Sequence, residues 1–298
     1  MKQESVRVVE NNYLNISKMN PKIRKAAFAG RFYPADKHSL STLIDNIYSV
    51  EKEHINIELA QRHILGGVVP HAGIVYSGYQ AIHLYSILKQ STQHIDTIVI
   101  INPNHSGFGK GMFNISDYDF WENPFGRIEI DREFSTELGF EICNEAHDCE
   151  YSGEVQLPFL SHLYSQPPKV VLITMNQQNI ESAQVLAKRI SDVAKKINKK
   201  IFLIASSDFS HYESPESGFK KDQYVVDAMM KLDAEQVYFE VKSHHVTACG
   251  FGPIMTLINY AKLESENSQL TVLKRGHSGN IYPSTEVVDY ISFLCFEK

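Results

Sequence analysis

Four short, largely apolar runs, separated by stretches of helical periodicity, limit the fold of this chain more than any other feature. They cover residues 64–69, 96–101, 169–174 and 201–205. Each is short for a helix and lacks the polar alternation of a half-exposed strand, so each reads as a strand buried on both faces. Between them the period changes. After Pro34-Ala35-Asp36, Leu40, Leu43, Ile44 and Ile47 recur at helical spacing, and residues 78–88 and 133–143 also read as helices. A longer helix is predicted over 180–197, its apolar stripe formed by Val185, Leu186, Ile190, Val193, Ala194 and Ile197. Helices near 219–231 and 251–263 precede closing strands near 270–275 and 286–295. Strands flanked by helices predict an α/β protein, a single α/β/α domain around a central, mostly buried mixed sheet. The chain contains no repeat, low-complexity linker or composition break, so one domain is expected over 24–298, with 1–23 as a flexible N-terminal extension.

Composition narrows the function classes. Of 298 residues, 43% are hydrophobic and 21% charged, an ordinary balance for a globular core, and the net charge of -6 lacks the basic footprint of a nucleic-acid binder. Lys195, Lys196, Lys199 and Lys200 end a helical pattern, where cations favour the helix dipole, and read as a solvated face. No apolar run approaches the roughly 18 residues of a membrane span. Residues 1–21 lack the basic-then-apolar order of a secretory signal. Cys143, Cys149, Cys249 and Cys295 have no framework spacing, so free thiols in a reducing, cytoplasmic setting are expected.

Polar residues crowd together at four places. Pro70-His71-Ala72-Gly73 follows the first buried run, Asn102-Pro103-Asn104-His105-Ser106-Gly107 the second, and Ser206-Ser207-Asp208-Phe209-Ser210-His211 the fourth. Open α/β sheets bind ligands beyond the carboxyl ends of their strands, so three histidines at such positions can share one cleft. The fourth place, Thr247-Ala248-Cys249-Gly250, puts a cysteine where a helix begins, a position that favours thiolate. Imidazoles and a thiolate suit Fe, Zn or Cu, and His71, His105 and Cys249 would leave positions open for substrate. His211 is then the candidate acid–base group, with Asp208 beside it. The bland alternatives are strand-end histidines held by hydrogen bonds and a cysteine that packs. A hydrolase triad of Ser207, His211 and Asp208 is disfavoured by their closeness in sequence and by the lack of a Gly-x-Ser-x-Gly elbow. His244 and His245 read as exposed loop residues.

The same residues carry a resemblance. The run from Arg24 through Ala29-Gly30-Arg31-Phe32-Tyr33-Pro34, then Pro70-His71-Ala72-Gly73, Asn102-Pro103-Asn104-His105, Glu154-Val155-Gln156-Leu157-Pro158, Ser206 to His211 and Cys249-Gly250, resembles in order the Memo family. In microbes that family is labelled AmmeMemoRadiSam system protein B. The resemblance spans residue 24 to about 296 and implies a fold similar to the class III extradiol (LigB-like) dioxygenases. It implies His71, His105 and Cys249 as metal ligands, His211 as a pocket histidine and Asp208 as its neighbour. Two positions depart from the family pattern. Tyr151 stands where the family usually has a histidine, and a tyrosine does not shuttle protons near pH 7. Phe32 stands where tryptophan is frequent.

Together these readings predict a non-haem metal protein, with Fe(II) the first choice and Cu or Zn the others. It would act as a dioxygenase-like oxidoreductase on an unidentified small molecule, with Tyr151 lining the pocket. The rival is a non-catalytic module that holds a peptide or small acid in the same cleft. The family label also implies a radical-SAM partner protein. Neither nucleic acid nor membrane is an expected partner.

Overall fold

A computed structural model of the chain describes residues 20–298. Twelve strands and nine α-helices are found among them. The strands, in chain order, are β1 (Ile23–Arg24), β2 (Ile64–Val69), β3 (Thr97–Pro103), β4 (Phe113–Ile115), β5 (Phe120–Asn123), β6 (Gly126–Glu129), β7 (Glu141–Ile142), β8 (Lys169–Met175), β9 (Ile201–Ser206), β10 (His211–Glu213), β11 (Ser268–His277) and β12 (Val287–Glu297). The helices are α1 (Lys37–Glu51), α2 (Ile74–Gln90), α3 (Arg132–Leu138), α4 (Asn144–Asp148), α5 (Leu157–Leu163), α6 (Ile180–Lys196), α7 (Pro215–Met230), α8 (Ala234–Ser243) and α9 (Phe251–Glu264).

The four apolar runs form the middle of a nine-stranded mixed sheet. Its order is β10-β12-β2-β9-β3-β8-β4-β7, and β11 also pairs with β12. The central β2, β9, β3 and β8 are mutually parallel, while β12 and β4 flank them antiparallel. The two-residue period of a strand sorts their side chains onto two faces. Val99, Ile101, Val171, Ile173, Leu203 and Ala205 share one core with Leu186 and Ile190 of α6 and Leu257 and Ile258 of α9. Ile98, Ile100, Val170, Leu172, Phe202 and Ile204 share the other with Leu40, Ile44 and Ile47 of α1 and Leu84 and Tyr85 of α2. Largely apolar runs without alternation are therefore required by helices on both sides of the sheet.

Several local expectations change. The helix predicted over 133–143 stops at Gly139, whose φ of 66° is the left-handed conformation that ends a helix, and the chain then enters β7. The helix predicted over 78–88 starts earlier, at Ile74. Val185 is exposed, not part of the buried stripe of α6. Helix α8 was not anticipated from the pattern; Asp233 caps it by accepting the Gln236 N–H at 2.9 Å. Lys195 and Lys196 pair with Glu264 and Glu137, but Lys199 is largely buried between Asp131 and Glu133 instead of lying on a solvated face. The predicted extension over 1–23 falls mostly outside the described residues, yet Lys22 and Ile23 already join a small β1-β5-β6 sheet, where Lys22 O accepts from Asp119 N at 2.8 Å. No helix among the described residues is long and apolar enough to cross a membrane.

The approach of β2 to its neighbours requires glycine. A Cβ on Gly67 would meet the Phe293 carbonyl oxygen at 2.5 Å and a Leu84 methyl at 2.6 Å. One of these is backbone, so relief needs strand movement. Gly67→Ala is expected to destabilise the fold by about 1–3 kcal/mol, the usual cost of overpacking. Urea unfolding compared with wild type measures it; an unchanged midpoint would show that β2 and β12 separate freely.

Candidate metal centre

The carboxyl ends of β2, β3 and β9 lie side by side because these strands are parallel. His71 follows β2 by two residues, His105 follows β3 by two, and the segment 207–210 leads from β9 to β10. Cys249 comes from a different part of the chain, just before α9. One ligand atom each from His71, His105 and Cys249 lie within 4.8 Å of one another. His71 Nε2 is 3.1 Å from Cys249 Sγ, and the two imidazole centroids are 5.4 Å apart.

Each ligand candidate is anchored from behind. His71 is fully buried, its Nδ1 is 2.9 Å from Ser206 Oγ, and its backbone N–H donates to Asp208 Oδ1 at 2.7 Å. His105 Nδ1 lies 2.9 Å from Glu150 Oε1, and its backbone N–H donates to the same carboxylate. Cys249 Sγ accepts from Asp208 N–H at 3.3 Å. Glu150 and Ser206 are site residues that single-residue reasoning passed over. Their signal was nonetheless visible, since both stand inside the motifs that carry the histidines and Tyr151.

Burial sets the protonation states. It pushes the His71 imidazolium well below the ordinary histidine range, with further help from the neighbouring His105, so His71 is neutral and able to ligate. The same crowding pushes the Cys249 thiol well up, and the Asp208 carboxylate adds to the shift. The expectation of a helix-stabilised thiolate is thus corrected: burial outweighs the start of α9, and the sulfur needs a nearby cation to lose its proton. Burial also raises Asp208, against two backbone N–H donors from His71 and Ala72.

The remaining candidates have different surroundings. His211 Nδ1 bonds the Thr247 carbonyl at 3.0 Å and its backbone N–H donates to Thr247 Oγ1. Its ring is therefore oriented by Thr247, while Asp208 serves the His71 backbone. Ser207 Oγ donates to Asp208 O and accepts from Gly250 N–H, which leaves the Ser207-His211-Asp208 triad unassembled. Tyr151 forms the middle of a stack, 4.2 Å from Phe32 and 5.0 Å from His105 between centroids. Burial first, then the neighbouring Cys249 and Asp208, raises its phenol pKa, so the hydroxyl stays protonated. His244 stacks on Tyr224 and meets Glu240 at 3.0 Å, whereas His245 is exposed.

The ordered motifs and this geometry coincide with a known family. The Memo-like protein family profile matches residues 24–294. The chain belongs to the Memo family. A MEMO1 family protein of Methanococcus maripaludis strain C5 is 38% identical over 284 residues, covering 91% of this chain and 99% of the relative. One from Methanococcoides burtonii is 35% identical over 276 residues, with the same coverage. A solved structure of an uncharacterized protein from Escherichia coli K12 aligns with 71% of this chain and 90% of its own at a TM-score of 0.44 and 12% identity, too loose a likeness to bear on this Memo protein.

The loop that carries Asp208 and His211 is held by a buried carboxyl pair. Asp222 accepts from Ser210 Oγ at 2.6 Å, and Asp289 exchanges backbone hydrogen bonds with Phe209 and Ser210. Asp289 Oδ2 is buried without an N–H or O–H partner beside the Asp222 carboxyl, and a proton held between the two carboxyls is the arrangement that would satisfy it. Burial, with Asp222 next, pushes Asp289 up to about 8, while Arg275, 3.8 Å from Asp222, opposes the shift. The unfolded carboxyl titrates near about 4. The proton's contribution to stability is then complete below about pH 4 and lost as pH rises to about 8. Asp289→Asn keeps a donor to Asp222 at every pH. Its unfolding free energy should exceed that of wild type at pH 9 by about 1 kcal/mol or more and fall less between pH 5 and 9. Equal pH slopes in denaturant titrations would remove the shared proton.

Proposed function

We propose that this Memo protein binds one redox-active metal ion through His71, His105 and Cys249 and acts as an oxidoreductase on a small molecule. The observation that supports it most is the convergence of two imidazoles and a thiol, from three distant segments, within 4.8 Å. The donor set fits: two nitrogens and one soft sulfur suit Fe(II), the first choice, and also Cu or Zn. Three protein ligands leave room for a substrate, as in catalytic rather than structural sites. When bound, the metal would supply Lewis-acid and electron-transfer chemistry.

The chain's own groups would do the rest. With its Nδ1 side fixed on the Thr247 carbonyl, His211 presents Nε2 as a proton carrier. Tyr151, kept protonated, would donate a hydrogen bond rather than shuttle a proton. Phe32 and Tyr151 form an apolar wall beside His105 that limits water. The same aromatic wall favours a second reading, a pocket that holds a peptide or small acid without turnover.

Elemental analysis of protein purified anaerobically without chelator separates the two. Wild type is expected to carry close to one iron or copper per chain, and His71→Ala and Cys249→Ser to carry at least tenfold less. Absence of metal from all three would overturn the metal reading and favour the binding module.

A further inference from the structure

Each candidate ligand histidine is held through Nδ1 by a group whose own hydrogen is already committed. Ser206 Oγ lies 2.8 Å from the Ser152 carbonyl oxygen, and a carbonyl only accepts, so the hydroxyl hydrogen points there. Gln156 Nε2 donates to the same Ser206 oxygen at 2.9 Å. Its amide orientation is fixed by the Pro70 carbonyl, an acceptor 3.0 Å from the nitrogen, which leaves the amide oxygen to the Tyr85 hydroxyl at 2.7 Å. What remains on Ser206 Oγ is acceptor capacity, so the contact at 2.9 Å requires a hydrogen on His71 Nδ1. The lone pair is then on Nε2, the nitrogen that faces Cys249 Sγ.

Glu150 treats His105 the same way. Its carboxylate accepts from Ser152 N–H at 3.0 Å, Ser152 Oγ at 2.6 Å and His105 N–H at 2.5 Å, a donor set suited to the ionised form. An ionised carboxylate has no hydrogen to give, so His105 Nδ1 must donate across its 2.9 Å contact. Ser152 touches both arms. Its N–H and hydroxyl hold Glu150, and its carbonyl takes the Ser206 hydrogen.

We propose that Glu150 and Ser206, bridged by Ser152, are positioning residues that preset both imidazoles in the Nδ1–H form, so that the Nε2 lone pair of each is free before any metal arrives. The relay rests on the metal-site reading for its purpose but not for its existence, which can be read without metal. It also explains why three consecutive residues, Glu150-Tyr151-Ser152, are placed beside the centre though none of them is a proposed ligand. Tyr151 covers the face of His105, while its two neighbours set the proton positions of the pair.

Long-range 15N–1H NMR of the metal-free chain at pH 8 reads the tautomers directly. Both His71 and His105 are expected as Nδ1–H in wild type, with His71 becoming a mixture in Ser206→Ala and His105 a mixture in Glu150→Gln. Competition titration with Zn(II) alone as probe should show each variant weakened about 10- to 100-fold, the usual effect of removing such an outer partner. An Nε2–H form of either histidine in wild type overturns the relay, whether or not the variants fold. So do variants that keep wild-type tautomers and bind zinc within twofold of wild type. Expected tautomers in a wild type that binds neither zinc nor iron would leave the relay standing and sink the metal reading instead.

Discussion

A carboxylate buried far from water organises the region around the candidate centre. Glu154 is fully buried and is met by the Arg24 guanidinium, the Tyr33 hydroxyl and the backbone N–H groups of Ala27 and Phe28. Arg24 in turn lies 4.0 Å over the Trp121 ring and donates to the His147 carbonyl. A buried charge is tolerable only when paired and hydrogen-bonded this completely, and leaving one partner alone typically costs about 3–5 kcal/mol. The consequence reaches the site through the chain. Glu154 pins residues 24–33 against the segment 150–156, and that contact brings Phe32 onto Tyr151 and Tyr151 onto His105.

The sheet supplies the second constraint. Parallel strands end on one edge, so three loops that are distant in sequence open into one space, and α9 brings the sulfur to it. Dense protein around that space disfavours charge. The His71 imidazolium and the Cys249 thiolate are both suppressed, which leaves a neutral donor set whose sulfur becomes anionic only beside a cation. A cation placed there would both stabilise the thiolate and satisfy the lone pairs that face it.

Tyr151 gives this Memo protein a local character of its own. Where an imidazole could carry a proton near neutrality, the phenol adds a flat, apolar surface continuous with Phe32. The proposed proton carrier, His211, takes its ring orientation from Thr247 rather than from a carboxylate. The carboxyl pair Asp222–Asp289 sits behind the loop that carries His211, and ties its backbone to β12 and α7.

Much of this architecture was legible in the residues alone. Short runs without polar alternation read as strands with helices on both faces, and polar clusters after those runs marked where His71 and His105 would emerge. Other features escaped because they depend on contacts remote in sequence. The two-residue β7 pairs with β4 because Gly139 turns the chain, and Val185 is exposed because α6 presents a narrower face to the sheet than its apolar content suggests. The candidate trio could be named from its motifs, since residue type decides which atoms are able to bind metal. Its protonation could not. Whether Cys249 is thiol or thiolate, and which nitrogen of each imidazole carries the hydrogen, depend on burial and on partners 41 to 135 residues apart in the chain, from Asp208 beside Cys249 to Ser206 beside His71. Those interactions exist only once the sheet has closed around them, because desolvation and hydrogen-bond direction are properties of an assembled interior and not of a string of residues.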